Sequence, residues 1–266
     1  MRVLLITTLS LAWAISAVGS EIREFSLPII EKLGRELSRR DSIAARAADL
    51  IAQTQPLAKS LKGRGWITDL RPDGDVVYTI AETAAGPCLA YAVIFEGSET
   101  PVVQDKRKQP LPPEIALRYK ARKTAVAALK GKFFDINYNF EVLDDPDGSG
   151  FLVYALAATN KKGEFPTGGH YRVTVSSDGS RVEQVDLLSQ FMKSRAKPGV
   201  KMEFITSSQV ASNIPVETWI YSSNLYHVPI MIGTMDGSTW LINKGQIHKF
   251  TEAEIKELES GKGKKK

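Results

Sequence analysis

Hydrophobic positions repeat with two different periods along the chain. Over residues 28–53, Ile30, Leu33, Leu37, Ala44, Ala47, Ala48 and Ile51 recur at helical spacing, which predicts a helix with one apolar face. Pro28 suits its first turn, and Pro56, Gly63 and Gly65 end it. Asp41-Ser42 leaves open whether this is one long helix or two. From 66 to 103 the period shortens to β-rich runs: WITDL, DVVYTIAE, CLAYAVIFEG and PVVQD. KRKQPLPPE follows as an exposed connection. A second helix is predicted over 114–130. Ile115, Tyr119, Val126 and Leu129 share its face, Pro113 lies near its first turn and Gly131 stops it.

The remainder reads as strand until Phe250. Pairs of apolar runs flank Asp147-Gly148, Asp178-Gly179 and Asp236-Gly237, as another pair flanks Asp73-Gly74. Asp-Gly supplies the positive φ angles of tight hairpins, so these turns predict antiparallel sheet. In HYRVTVS, Tyr171, Val173 and Val175 point one way, and His170, Arg172 and Thr174 the other. A short helix over 252–258, capped by Thr251, closes the pattern. The expected fold is α+β: two helix-on-antiparallel-sheet units, over 20–104 and 105–260, after a cleaved signal peptide and before a basic tail over 261–266. Helix-then-meander order occurs twice without residue identity between the halves.

The first nineteen residues set the compartment. Arg2, an apolar run from Val3 to Val18 and small residues at Ala17 and Gly19 form a signal peptide cleaved after Gly19. That run is short of the roughly twenty apolar residues a membrane-crossing helix needs, and no later segment approaches that length. The mature chain is therefore expected to be a soluble periplasmic or secreted protein. Cys88 is the only cysteine, so no intramolecular disulfide can form, and its apolar run makes it a buried small hydrophobe. The sequence holds 35 basic and 30 acidic residues; Arg2, Lys262, Lys264, Lys265 and Lys266 account for the whole excess. Such a tail offers an anionic surface only a weak, salt-sensitive tether. Over 105–132, nine basic residues face two acidic ones. Arg118 and Arg122 are the candidates there for an anionic ligand, although the basic residues spread around the helix.

Catalytic signatures are absent. His170, His227 and His248 lack ligand spacing, and no HExxH, GxSxG or glycine-rich phosphate loop occurs. Asp145, Asp147, Ser149 and Gly150 match the early positions of a calcium loop. Leu156 stands where a bidentate Glu belongs, so a hairpin turn is the better reading. No cofactor or metal is expected. The aromatic residues Trp219, Tyr221, Tyr226 and Trp240 are core or one wall of a binding groove, with Trp219 and Tyr221 on one strand face.

LGRELSRRDSIAARAADL, GWITDL, LRYKARKTAVAAL, GGHYRVTVSSDG and PVETWIYSSNLYHVPIMIGT together resemble an uncharacterised family of exported proteins of Gram-negative bacteria. The resemblance spans most of the mature chain and implies an envelope or secreted location, with no chemistry attached. Such proteins often carry a cysteine after the strand that SRVEQVDLLSQ represents. Phe191-Met192 stands there instead, which argues against a thiol role. The expected function is a non-enzymatic binding module whose partner is another envelope protein or an anionic envelope component, with no nucleic acid. The alternative is an exported hydrolase using His170 or His227 as general base beside a carboxylate.

Overall fold

The computed structural model describes residues 22–54, 65–97, 100–159, 161, 163–195 and 202–260. The expected signal peptide, the helix-ending Pro56 and Gly63 and the lysine tail lie outside them. The architecture is α+β, with helices packed on antiparallel sheets. Helix α1 (Leu27–Thr54) runs without a break, so Asp41-Ser42 restarts nothing. Asp41 and Arg40 are instead buried within it, while Ala48, placed on the apolar face by its spacing, is exposed. The first sheet is a meander of β1 (Gly65–Asp69), β2 (Asp75–Thr83), β3 (Gly86–Phe95) and β4 (Val102–Asp105). After α2 (Pro113–Ala128) come β5 (Asn137–Asp144), β6 (Phe151–Ala158), β7 (Glu164–Pro166), β8 (Tyr171–Val175) and β9 (Val182–Leu187). The second sheet has the order β5-β6-β8-β9, and β7 pairs with β10 (Lys193–Arg195).

The third sheet departs from the expected meander. Strand β11 (Ile205–Gln209) is followed by a helix, α3 (Glu217–Tyr226), and then by β12 (Ile230–Thr234), which pairs with β11 in parallel. Strands β13 (Thr239–Asn243) and β14 (Gln246–Lys249) complete the sheet, and α4 (Glu252–Glu259) follows. Trp219 and Tyr221 thus sit on a helix rather than on one strand face. Every residue from Glu217 to Ser223 is buried, so no polar stripe marks α3 as amphipathic.

All four Asp-Gly hairpins form as read. Gly74, Gly179 and Gly237 take positive φ. Gly148 does not; there Asp145 organises the turn, accepting the Asp147 backbone N–H on its carboxylate at 3.0 Å. Thr251 and Glu254 cap α4 reciprocally, the Thr251 N–H reaching Glu254 Oε2 at 2.7 Å and the Glu254 N–H reaching Thr251 Oγ1 at 3.3 Å.

The helices cover both of the first two sheets, which adjoin where β1 lies beside β5. On one side α2 buries Ile115, Tyr119 and Ala125 against Ile67, Ile80, Val142, Val153 and Val173. On the other, the C-terminal half of α1 packs Ile43, Ala47 and Ile51 on Val77, Tyr91 and Val93. Its N-terminal half joins α3, and both are enclosed between the second sheet (Leu143, Leu152, Tyr154) and the third (Ile230, Ile232, Trp240). Both faces of β8 are therefore buried, Arg172 and Thr174 included, as is His170 just before it. The α1–α3 contact needs Gly34, where a Cβ would stand 2.5 Å from Ile220 Cβ and 2.7 Å from the Glu217 carbonyl oxygen.

The charged groups inside this layer are paired, whereas Thr174 Oγ1, Thr218 Oγ1 and Trp240 Nε1 are buried without a hydrogen-bond partner. Arg172 donates to Asp186 Oδ2 at 2.7 Å, to Glu217 Oε1 at 2.7 Å and to the Arg23 carbonyl, with its guanidinium 4.7 Å above the Phe25 ring centroid. Burial alone would lower its pKa; Glu217, Tyr154 and Asp186 more than offset that and hold it raised. Asp41 accepts from Asn139 at 2.8 Å and from Tyr221 at 3.1 Å. Glu141 accepts from Trp66 Nε1 at 2.9 Å, and burial pushes its carboxyl up to about 7, against the lowering effects of Trp66 and Arg40.

Two outcomes follow from this packing. Gly34→Ala should lower the melting temperature, because a clash with backbone, costing roughly 1–3 kcal/mol, exceeds the helix-propensity gain of up to about 1 kcal/mol. Ser42→Ala, at an exposed site on the same helix, should not lower it. For Glu141, a folded pKa above the unfolded value of 4.5 means its contribution is complete below pH 4.5 and is lost as pH rises through about 7. The loss is of order 3 kcal/mol at about 1.4 kcal/mol per unit. Urea unfolding at pH 5 and pH 8 should show a decline in the native protein that Glu141→Gln lacks. Equal declines in both would exclude Glu141 as the source.

Candidate binding groove

A cleft lies where the segment after β9 runs beside β11. Its volume, about 660 Å³, falls in the range of small-ligand sites. One wall is Gln190, Phe191 and Met192, the other is Thr206, Ser207 and Ser208 of β11, Val210 closes an end, and Trp219 lines the floor. Two adjacent glycines set the first wall. A Cβ on Gly168 would lie 2.0 Å from the Gln190 carbonyl oxygen, and one on Gly169 would lie 2.9 Å from Phe191 Cδ2. Gly169 also takes φ +79°, which L side chains avoid. Phe191 in turn stacks on Phe134 at 5.4 Å.

A chain of amide hydrogen bonds holds the floor. Trp219 Nε1 donates to Gln209 Oε1 at 2.7 Å, and Gln209 Nε2 donates to the Leu188 carbonyl at 3.2 Å. One buried glutamine thereby ties α3 to β11 and β11 to the end of β9. The groove has no charged lining residue.

Strand β11 is an edge of its sheet. The Ile205 N–H bonds the Pro229 carbonyl, so Ile205, Ser207 and Gln209 turn their backbone groups toward β12. Alternation along the strand turns those of Thr206 and Ser208 the other way, into the groove. Phe204 and Val210, at the ends of this edge, are 49% and 55% exposed, and Met235, one step beyond the Gln209–Thr234 pair, is 74% exposed.

Of the residues singled out by sequence, Trp219 alone reaches this groove. Tyr221 is buried against Asp41 and, edge-on, against His170. Tyr226 packs edge-on against Phe165 at 5.0 Å, and Trp240 is core of the third sheet. Arg118 pairs with Asp144 at 2.8 Å. Arg122 lies over Phe140 at 5.0 Å with burial lowering its pKa, and its Nε has no hydrogen-bond partner. Gln209, Phe191, Met192 and the free edge of β11 carry the site without having been read from sequence. The nearest signal was the placement of Phe191-Met192 just after a strand.

The histidines are distributed elsewhere. His170 Nδ1 accepts the Ala157 N–H at 3.0 Å, which puts the remaining proton on Nε2, facing Ser222 Oγ at 3.5 Å. Burial pushes His170 down to about 3, so the ring is neutral. A base for Ser222 would need the Nε2 lone pair, which this tautomer does not offer. His227 is the exposed left-handed cap of α3, and His248 meets Glu254 at 3.0 Å on the surface. Among the described residues no three His, Cys, Asp or Glu side chains gather as a metal site. In the calcium-like turn, Arg23 forks the Asp145 carboxylate at 2.6 and 2.8 Å. No described helix is long and apolar enough to cross a membrane. The sequence matches no protein-family model, no curated protein and no solved structure.

Trp219 supports the groove as core, at 2% exposure. Trp219→Ala should destabilise the protein by about 3–5 kcal/mol, combining a cavity with an orphaned Gln209 amide. Chemical denaturation measures this, and a loss below about 1 kcal/mol would show that the floor does not depend on the ring.

Proposed function

We propose that the protein is a non-enzymatic binding module of the cell envelope, exported with removal of residues 1–19, that receives an extended, uncharged segment of a partner protein in this groove. The observation that carries the reading is the edge of β11, unpaired among the described residues, which opens onto a preformed cleft with an aromatic floor. An exposed edge is a template for another strand. The outward groups of Thr206 and Ser208 would supply main-chain hydrogen bonds, and the alternate side chains of the added strand would enter toward Trp219. Met192, Phe191 and Val210 favour apolar side chains there, while the absence of lining charge leaves a charged segment without compensation for its lost hydration. Phe204 and Met235, exposed beside the groove, extend the apolar contact. An envelope protein with an accessible β-prone segment is the class of partner that fits.

A Ser208→Pro variant tests the reading. Proline deletes the outward N–H of an edge strand, a position where sheets tolerate it. Peptides displayed on phage and selected against the mature protein should converge on alternating apolar sequences. Binding should protect the Thr206 and Ser208 amides from exchange. Ser208→Pro should weaken it by about tenfold or more, the worth of one to two hydrogen bonds, with the melting temperature nearly unchanged. Peptides that bind the variant equally well, or a selection that yields none, would overturn the proposal.

A further inference from the structure

A second cleft, of about 360 Å³, opens between α1, the β1–β2 turn and the end of β3. Helix α1 contributes Arg39, Ile43 and Arg46, whose spacing places them on one stripe. Arg71 and Pro72 come from the turn, and Phe95 from the end of β3. Three guanidinium groups thus meet at one concave surface, and their pairing differs.

Arg39 forks Asp75 with Nε at 3.2 Å and Nη2 at 2.7 Å. Arg71 gives Nε to Asp69 at 2.6 Å and Nη2 to the Tyr78 hydroxyl at 2.8 Å. Each of these cations is balanced by one carboxylate, and neither Nη1 has a partner among the described residues. Arg46 is different. It lies over the Phe95 ring at 5.0 Å from the centroid and has no hydrogen-bond or ion-pair partner among the described residues. The ring face attracts the cation, while none of its N–H groups is used among the described residues. Arg46 is thus the one cation of the three with no carboxylate bound to it among the described residues, beside an apolar wall of Ile43, Pro72 and Phe95, although Asp73 also lines the cleft and brings its fixed charges into balance.

The complement of a free guanidinium edge is a planar carboxylate, bound through two parallel N–H···O bonds. A multiply charged phosphate fits less well, because Asp75 and Asp69 already neutralise two of the three cations and the Asp73 carboxylate also lines the cleft. We propose that this cleft binds a small monocarboxylate with an apolar body. The carboxylate sits on Arg46, the spare Nη1 groups of Arg39 and Arg71 are auxiliary donors, and the apolar part rests on Ile43 and Phe95. The site is separate from the groove at β11 and stands or falls independently of it.

The test uses the mature protein and four probes: benzoate, hexanoate, benzamide and inorganic phosphate. Amide chemical shifts of Arg46, Arg71 and Phe95 report occupancy. Benzoate and hexanoate should saturate with dissociation constants near the millimolar range, which suits ligands of this size, and benzamide should bind at least about tenfold more weakly. Arg46→Ala should weaken benzoate by about tenfold at unchanged melting temperature, since Arg46 is exposed. Arg46→Lys, which keeps the charge and loses the fork, should fall between. Should Arg46→Ala fail to fold, the lysine variant and the benzoate–benzamide comparison still decide. Phosphate binding as tightly as benzoate, benzamide matching benzoate, indifference to substitution of Arg46, or no saturation by either carboxylate would each overturn the proposal.

Discussion

Arg172 is the constraint around which the described structure is assembled. It sits on β8 with no exposed side-chain surface and reaches β9 through Asp186, α3 through Glu217 and the N-terminal strap through the Arg23 carbonyl and the Phe25 ring. Tyr154 on β6 donates to the same Glu217 oxygen at 2.7 Å. Three separate pieces of chain thus converge on one guanidinium, and β6 joins them through Glu217. Such a cluster contributes little net stability over an apolar replacement, yet losing one partner strands a buried charge at a cost of about 3–5 kcal/mol. Its effect is on geometry. With Arg172 satisfied, α3 has one register against β8, and that register brings Trp219 under β11.

How much of this was legible in the sequence differs by element, for physical reasons. The hairpins announce themselves because Asp-Gly turns are local chemistry, and α1, α2 and α4 because each has a polar face and a recognisable start. Helix α3 leaves no periodic trace: buried on all sides, it places Thr218, Ser222 and Ser223 inside as readily as Trp219 and Ile220. Its flanking β-branched and aromatic residues then read as strand. Alternation in HYRVTVS was seen, but an inward-facing Arg172 is indistinguishable from a solvent-facing one until the carboxylates that neutralise it, 14 and 45 residues away, are known. The groove was the least legible feature. Its aromatic floor was among the candidates, whereas a strand edge, a pair of close-packed glycines and a buried glutamine acquire meaning only from neighbours distant in sequence.

The two clefts differ in what they ask of a ligand. The groove at β11 offers backbone groups unpaired among the described residues and apolar surface, and its first wall is fixed by close approach of the Gln190 backbone at Gly168 and of the Phe191 side chain at Gly169. The cleft at Arg46 offers a single cation held by a ring. Neither contains a histidine, and the one buried serine–histidine pair is oriented with its proton on the side a nucleophile would need vacant. Under the two proposals, recognition through preformed surfaces is the common theme.

The bonds from Arg35 to the Gly245 carbonyl and from the Ile247 N–H to Glu31 span 210 and 216 residues. Helix α1 therefore leaves the ribosome well before its partners in α3 and the third sheet. Contacts of such separation carry a large loop-closure entropy and slow the final ordering step. During synthesis the N-terminal half of α1 is without the surfaces that later cover its apolar stripe until α3 and the third sheet have emerged.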